Sequence, residues 1–157
     1  MLENIINLVR ENAGEAIVNN PAVPNEHNEA VTEEAGSSIM EGLRNMISGG
    51  QSQEVLSLFS HPSEDLSSHP AVQNIAGGFV QNLVSKFNIN PSAASGIASS
   101  LIPTVLQQLV HKTNDTADNS FNLEHLLGNL TGGQGIQGLL GSLGQGGGVM
   151  DKLKGLF

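Results

Sequence analysis

Apolar residues recur at intervals of three and four along most of the chain, which is the spacing of one face of an α-helix. The first stripe runs from Leu2 to Ile17 and ends before Pro21 and Pro24, and the second runs from Val31 to Leu43 and ends before Gly49-Gly50. A shorter apolar stretch follows at residues 53–59. This pattern predicts two long helices and one short helix, and it contains no credible strand.

The same order returns after a polar linker that contains His61 and His69. Pro70 is placed to begin a helix, and Asn90-Pro91 is a start signal because the asparagine side chain caps the helix while the proline needs no amide partner. Pro103 lies inside the second of these helices and should kink it. A short final helix is expected at about residues 120–130.

An internal duplication accounts for this order. At an offset of 66 residues, apolar positions of the first half match apolar positions of the second, and an offset of 68 aligns the two short helices. The matched pairs are Ile6 with Val72, Val9 with Ile75, Ala13 with Phe79, Ile17 with Leu83, Val23 with Ile89, Val31 with Ile97, Ala35 with Leu101, Ile39 with Val105, and Leu43 with Leu109. Units of about 60 residues bury little surface alone. We therefore expect an all-α, six-helix body made of two tandem three-helix repeats, residues 1–65 and 66–131.

Residues 132–157 form a glycine-rich aliphatic tail with a short amphipathic end, VMDKLKGLF. Two interpretations are open for its glycine-rich part: a flexible tether, or a segment that becomes ordered on contact with the protein's own body or with another copy. Four large aliphatic residues within eight favour contact. The terminal stretch suits docking to protein better than a weak hold on a membrane surface. The expected interaction residues are Ile136, Leu139, Leu140, Leu143, Met150, Leu153 and Phe157.

Composition removes several classes of function. The chain has no cysteine, which excludes disulfides, thiol catalysis and cysteine-based metal sites. Its net charge of −9 lies mostly in residues 1–68, and the absence of a basic stripe argues against nucleic-acid binding. The start of the chain lacks the basic residues of a signal peptide, and no apolar run reaches the roughly 18 residues of a membrane span. We expect a cytoplasmic protein without a transmembrane segment.

Motifs that could carry chemistry have simpler explanations. Gly133-x-Gly135-x-x-Gly138 matches the dinucleotide fingerprint, but no strand precedes it and no stable helix follows. The five histidines, which include His27, His111 and His125, do not have the spacing of metal ligands. We interpret them as polar residues of turns. The acidic run of the second helix is typical of a solvated face; it comprises Glu26, Glu29, Glu33, Glu34 and Glu41. We therefore predict no cofactor and no metal.

Residues 87–115, FNINPSAASGIASSLIPTVLQQLVHKTND, resemble the bacterial YidB-like family, a domain of unknown function. The resemblance lies in Ile89, the run Ala93-Ala94-Ser95, Leu101 and the pair Ile102-Pro103. The stretch GGQGIQGLLGSLGQGGG and the end MDKLKGLF are also similar to segments of that family. The resemblance implies an all-helical fold and a bacterial origin, and it implies no catalytic residues.

The leading functional hypothesis is a non-catalytic interaction or self-assembly protein that uses residues 132–157 as its adhesive surface. The alternative is a module that binds an apolar small molecule or lipid between its helices, in a cavity beside Pro103 and the small residues Ala93–Ser100. A hydrolase or metal enzyme is disfavoured because no spacing of nucleophile and base, or of metal ligands, emerges.

Overall fold

The computed structural model describes residues 2–61, 65–115, 117 and 123–131, and within these ranges the chain is helical with no strand. The helices are α1 (Leu2–Ala13), α2 (Asn28–Ser48), α3 (Ser52–Ser60), α4 (Pro70–Phe87), α5 (Pro91–Asn114) and α6 (Leu123–Thr131). A π-helical turn, Gly14–Val18, extends α1, and 3-10 turns at Asn25–His27 and Leu66–Ser68 precede α2 and α4. The prediction of an all-α fold with six helices is confirmed.

The helix boundaries follow from local chemistry. Asn90 accepts a hydrogen bond from the backbone N–H of Ser92 at 2.9 Å, and Pro91 occupies the first position of α5, as predicted. His69 does the same for α4 by accepting from the N–H of Ala71 at 3.2 Å, ahead of Pro70. Asn88 ends α4 in the left-handed conformation, with φ of 53°, so the chain can reverse within three residues.

Four long helices enclose the core. Helix α1 packs on α2 and α4 packs on α5, while α2 also contacts α4 and α1 also contacts α5. The short helices close the sides, since α3 contacts α2, α4 and α5, and α6 contacts α2. Buried residues of both halves, from Ile5 to Leu130, belong to one continuous apolar cluster. The two halves therefore share a core.

The matched positions of the proposed duplication lie on the core side of their helices. Both members of each pair are buried except in the first pair, where Ile6 is half-buried and Val72 is buried. The helix contacts also map onto themselves when the halves are exchanged: α1 with α5 corresponds to α4 with α2. The duplication itself stays a hypothesis, but this correspondence allows equivalent helix junctions to be compared.

Helix α5 is the longest element and runs unbroken through Pro103. By length and composition alone it is apolar enough to cross a membrane, and half of its most apolar window is buried inside the protein. Its large apolar residues, including Ile97, Leu101, Val105 and Leu109, are buried in the shared core. Burial in a core of helices explains this composition without a bilayer.

Candidate functional site

A surface groove of about 540 Å³ separates the end of α1 from the middle of α5. The α1 side contributes Glu11, Asn12, Gly14, Glu15, Ala16 and Asn20. The α5 side contributes Gly96, Ile97, Ser100, Leu101 and Thr104. Most of these side chains are short, so the two helices meet without filling the space between them.

One end of the groove is held by a pair of amides. Asn12 Nδ2 donates to Gln108 Oε1 at 3.0 Å, and Gln108 Nε2 donates to Asn12 Oδ1 at 3.0 Å. Asn12 also donates to the carbonyl of Leu8. This reciprocal pair fixes α1 against α5, so the width of the groove is set by the fold.

The π-helical turn shapes the α1 side of the groove. In it the chain takes a wider turn, and the N–H of Asn19 reaches the carbonyl of Gly14 at 2.8 Å. Ile17 remains in the core while Gly14 and Glu15 are exposed. Such turns interrupt regular helices and often occur at functional sites.

The lining mixes two carboxylates, two amides and two hydroxyls with glycine and apolar residues. Glu11 and Glu15 are one helical turn apart and exposed, and the lining contains no Lys or Arg. On α5, Ser100 donates its hydroxyl proton to a carbonyl of its own helix, and Thr104 donates to the carbonyl of Ser100 at 2.7 Å. Ile97 and Leu101 are almost completely buried and offer little apolar surface. The groove therefore offers two carboxylates to a ligand, with no cation among its lining residues to neutralise them.

Open space faces the two glycines at the groove. A Cβ atom placed on Gly14 or on Gly96 would meet no heavy atom within 4 Å. By contrast, a Cβ on Gly36 would lie 2.6 Å from Ile6 Cγ1, so that glycine is explained by helix packing. Packing among the described residues gives no reason for glycine at positions 14 and 96.

The structure changes the interpretation of the acidic run on α2. Glu26, Glu29, Glu33 and Glu41 are exposed, as expected of a solvated face, but only 14% of the Glu34 side chain is accessible. Glu34 accepts hydrogen bonds from Asn82 at 2.8 Å and from Lys86 at 3.0 Å. The prediction of a solvated face was therefore wrong for Glu34, because α4 supplies a cation and an amide that sequence spacing does not reveal.

The histidines hold separate local positions. His69 caps α4, a ring nitrogen of His61 lies 3.1 Å from the carbonyl of Ser57, and the His27 ring meets the edge of Phe87. Within the described part of the chain, no group of three or more His, Asp or Glu side chains could hold a metal ion.

The predicted interaction residues, Ile136, Leu139, Leu140, Leu143, Met150, Leu153 and Phe157, lie outside the described residues. The sequence did single out Ala93–Ser100 as a possible cavity wall, and Gly96, Ile97 and Ser100 do line the groove. It missed the opposite wall, including Glu11 and Glu15. No apolar pattern marks those positions, because they lie on the solvent side of α1.

Comparisons of the chain with protein-family models, with curated proteins and with solved structures gave no match. The resemblance of residues 87–115 to the YidB-like family thus stays a prediction from that segment.

Proposed function

We propose that the protein is a non-catalytic interaction or self-assembly scaffold, in which the helical body carries the segment 132–157 as its adhesive part. One observation carries the proposal. Among the described residues, Leu2 and Val18 are the large hydrophobic side chains that remain exposed, at 40% and 49%. The body thus offers little apolar surface of its own, whereas the segment is rich in aliphatic residues.

Burial of aliphatic side chains favours contact over a bare tether. Burial of one Leu, Ile, Met or Phe side chain contributes roughly 1.5–3 kcal/mol. Several such anchors offset much of the backbone entropy lost when the segment becomes ordered, which is about 1–2 kcal/mol for each residue. Glycine also lets two backbones approach closely, which suits a packed contact.

Light scattering of the full chain tests this proposal. We expect a molar mass above that of the monomer, rising with protein concentration, for the natural sequence. Replacement of Leu139, Leu140 and Leu143 by Asn should return the protein to a monomer. Replacement of Gln134, Gln137 and Gln145 by Asn is the matched control and should leave the mass unchanged. A monomer at all concentrations for the natural chain would contradict self-assembly.

The alternative proposal is a binding module for an apolar small molecule or lipid beside Ala93–Ser100. The groove lies at the expected place, because Gly96 and Ser100 line it. Its carboxylates, however, favour a cationic ligand over an apolar one. Native mass spectrometry of the purified full chain tests this alternative: a co-purifying lipid would support it, and unliganded protein would oppose it.

A further inference from the structure

Two equivalent helix junctions differ in how they are filled. Where α4 meets α2, Lys86 and Asn82 reach across to Glu34, and Asn82 also lies 3.3 Å from Ser38 Oγ. Glu34 and Ser38 are largely covered by this network. The α4–α2 junction is thus closed by an ion pair and an amide.

The groove occupies the equivalent place between α1 and α5. At the offset of 66, the counterparts of Glu34, Ser38, Asn82 and Lys86 are Ser100, Thr104, Ala16 and Asn20. All four of these counterparts line the groove. The carboxylate is replaced by a hydroxyl, the amide by a methyl group and the lysine by a shorter asparagine. The groove is open because the side chains that close the other junction are truncated here.

The missing component is a cation on a long side chain. Glu11 and Glu15 stand at the groove, and none of the lining residues is basic. An occupant that fits would bring positive charge and a slender backbone, since Gly14 and Gly96 leave room for close approach. Because Glu11 and Glu15 are exposed, each charge pair contributes little, and the fit of the backbone to the groove has to add to it.

We propose that the groove is the docking site for residues 132–157 of the same chain, with Lys152 and Lys154 placed against Glu11 and Glu15. That segment holds two of the six Lys and Arg residues and is rich in glycine. Its 26 residues reach up to ~85 Å when extended, whereas a body of about 130 residues has a radius of gyration of ~14 Å. Attachment also raises its effective concentration to about the millimolar range.

This inference rests on the proposed function and adds a form of regulation to it. A segment that occupies its own groove is withheld from other molecules, so a partner has to compete with the intramolecular contact. Added salt weakens the charge pairing and shifts the segment towards the partner. The groove then keeps the adhesive segment from binding other molecules until a partner displaces it.

Paramagnetic NMR tests the docking directly. The natural chain has no cysteine, so Gln145→Cys provides one site for a nitroxide label. We expect strong broadening of the amide signals of Gly14, Gly96 and Ser100, and much weaker broadening of Gly77 and Gly78, which do not line the groove. Equal broadening of both sets, or none, would overturn the proposal.

Four variants of the labelled chain test the assignment to the groove. Gly96→Leu fills the groove and should abolish the selective broadening, whereas Gly77→Leu, on the exposed face of α4, should retain it. Lys152→Glu combined with Lys154→Glu should also abolish it, and Glu11→Lys with Glu15→Lys added to that chain should restore it. If Gly96→Leu and the Lys152→Glu/Lys154→Glu variant both left the broadening intact, the groove would not be the site.

A mixture separates the same chain from a second copy. Labelled chain without nitrogen-15 is combined with unlabelled chain that carries nitrogen-15. At a protein concentration at which light scattering gives the mass of the monomer, the proposal predicts no groove broadening in this mixture, and broadening there would overturn the intramolecular assignment in favour of a second copy. Light scattering on the same samples measures the proposed self-assembly separately. A negative result for docking in the groove therefore does not decide whether the protein self-assembles.

Discussion

At the scale of single residues, glycines that helix packing requires differ from glycines that face open space. Gly36 and Gly42 lie where α2 meets α1 and α4, and a Cβ on either would come within 2.6 Å of an isoleucine Cγ1. Gly77 faces open space on α4. A substitution of glycine by alanine is therefore expected to destabilise the protein at Gly36 and Gly42 but not at Gly77.

Gly36→Ala should lower the free energy of unfolding by about 1–3 kcal/mol, because the new methyl group overpacks against Ile6. Gly77→Ala is the control and should raise it by up to about 1 kcal/mol, since alanine favours the helix. Urea unfolding followed by circular dichroism measures both. Equal effects of the two substitutions would show that α1 and α2 are not in close contact at Gly36.

Glu34 is the residue for which the charge pattern of the sequence predicts the wrong environment. Glu34→Ala should destabilise the protein by about 1–2 kcal/mol, because Asn82 and Lys86 lose their acceptor. Glu33→Ala, at an exposed neighbouring position, should change the stability by less than about 0.5 kcal/mol. Thermal or urea unfolding of the two variants measures both changes in stability. A near-zero effect of Glu34→Ala would mean that the hydrogen bonds of Glu34 do not stabilise the fold.

Asp65 should titrate below its ordinary value. The backbone N–H of Ser67 and then the Ser67 side chain hold the pKa of this carboxyl below 3.8 by donating hydrogen bonds. The bonds stabilise the 3-10 turn fully above pH 3.8 and lose their effect as the pH falls through the lower folded pKa. In a carbon-13 titration, Ser67→Ala should raise the pKa only partly, because the N–H remains. A natural-sequence pKa at or above the ordinary value would contradict the turn.

At the scale of elements, the start of α5 is encoded locally. Asn90→Ala removes the side chain that caps the helix and should cost about 1 kcal/mol of stability. Ser92→Ala keeps the N–H that Asn90 receives and should cost much less. Urea midpoints of the two variants test this. Similar losses would show that the cap is not responsible.

Local signals also explain why much of the fold could be predicted from the sequence. Apolar periodicity, Pro70, Asn90-Pro91 and Gly49-Gly50 gave the number, order and approximate ends of the helices. The π-helical turn at Gly14–Val18 could not be predicted, since Ile17 continues the helical stripe in either geometry. The groove could not be predicted either, because its two walls, which include Ala16 and Ser100, are 84 positions apart in the sequence.

At the scale of the whole molecule, the helical body and the segment 132–157 differ in composition. The body holds nearly all the acidic residues and keeps its apolar residues in one core. Residues 132–157 combine glycine, aliphatic side chains and two lysines. We propose that complementary charge favours docking of the segment in the groove, and that its aliphatic residues favour binding to a partner.

We propose that the aliphatic residues of the segment 132–157 are held in contact with protein. Hydrogen exchange of the backbone amides of residues 136–157, followed by mass spectrometry on the full chain, detects such contact. We expect exchange slower than the intrinsic rate in the natural sequence, with the protection lost when Leu139, Leu140 and Leu143 are replaced by Asn. Exchange at the intrinsic rate in the natural chain would contradict it.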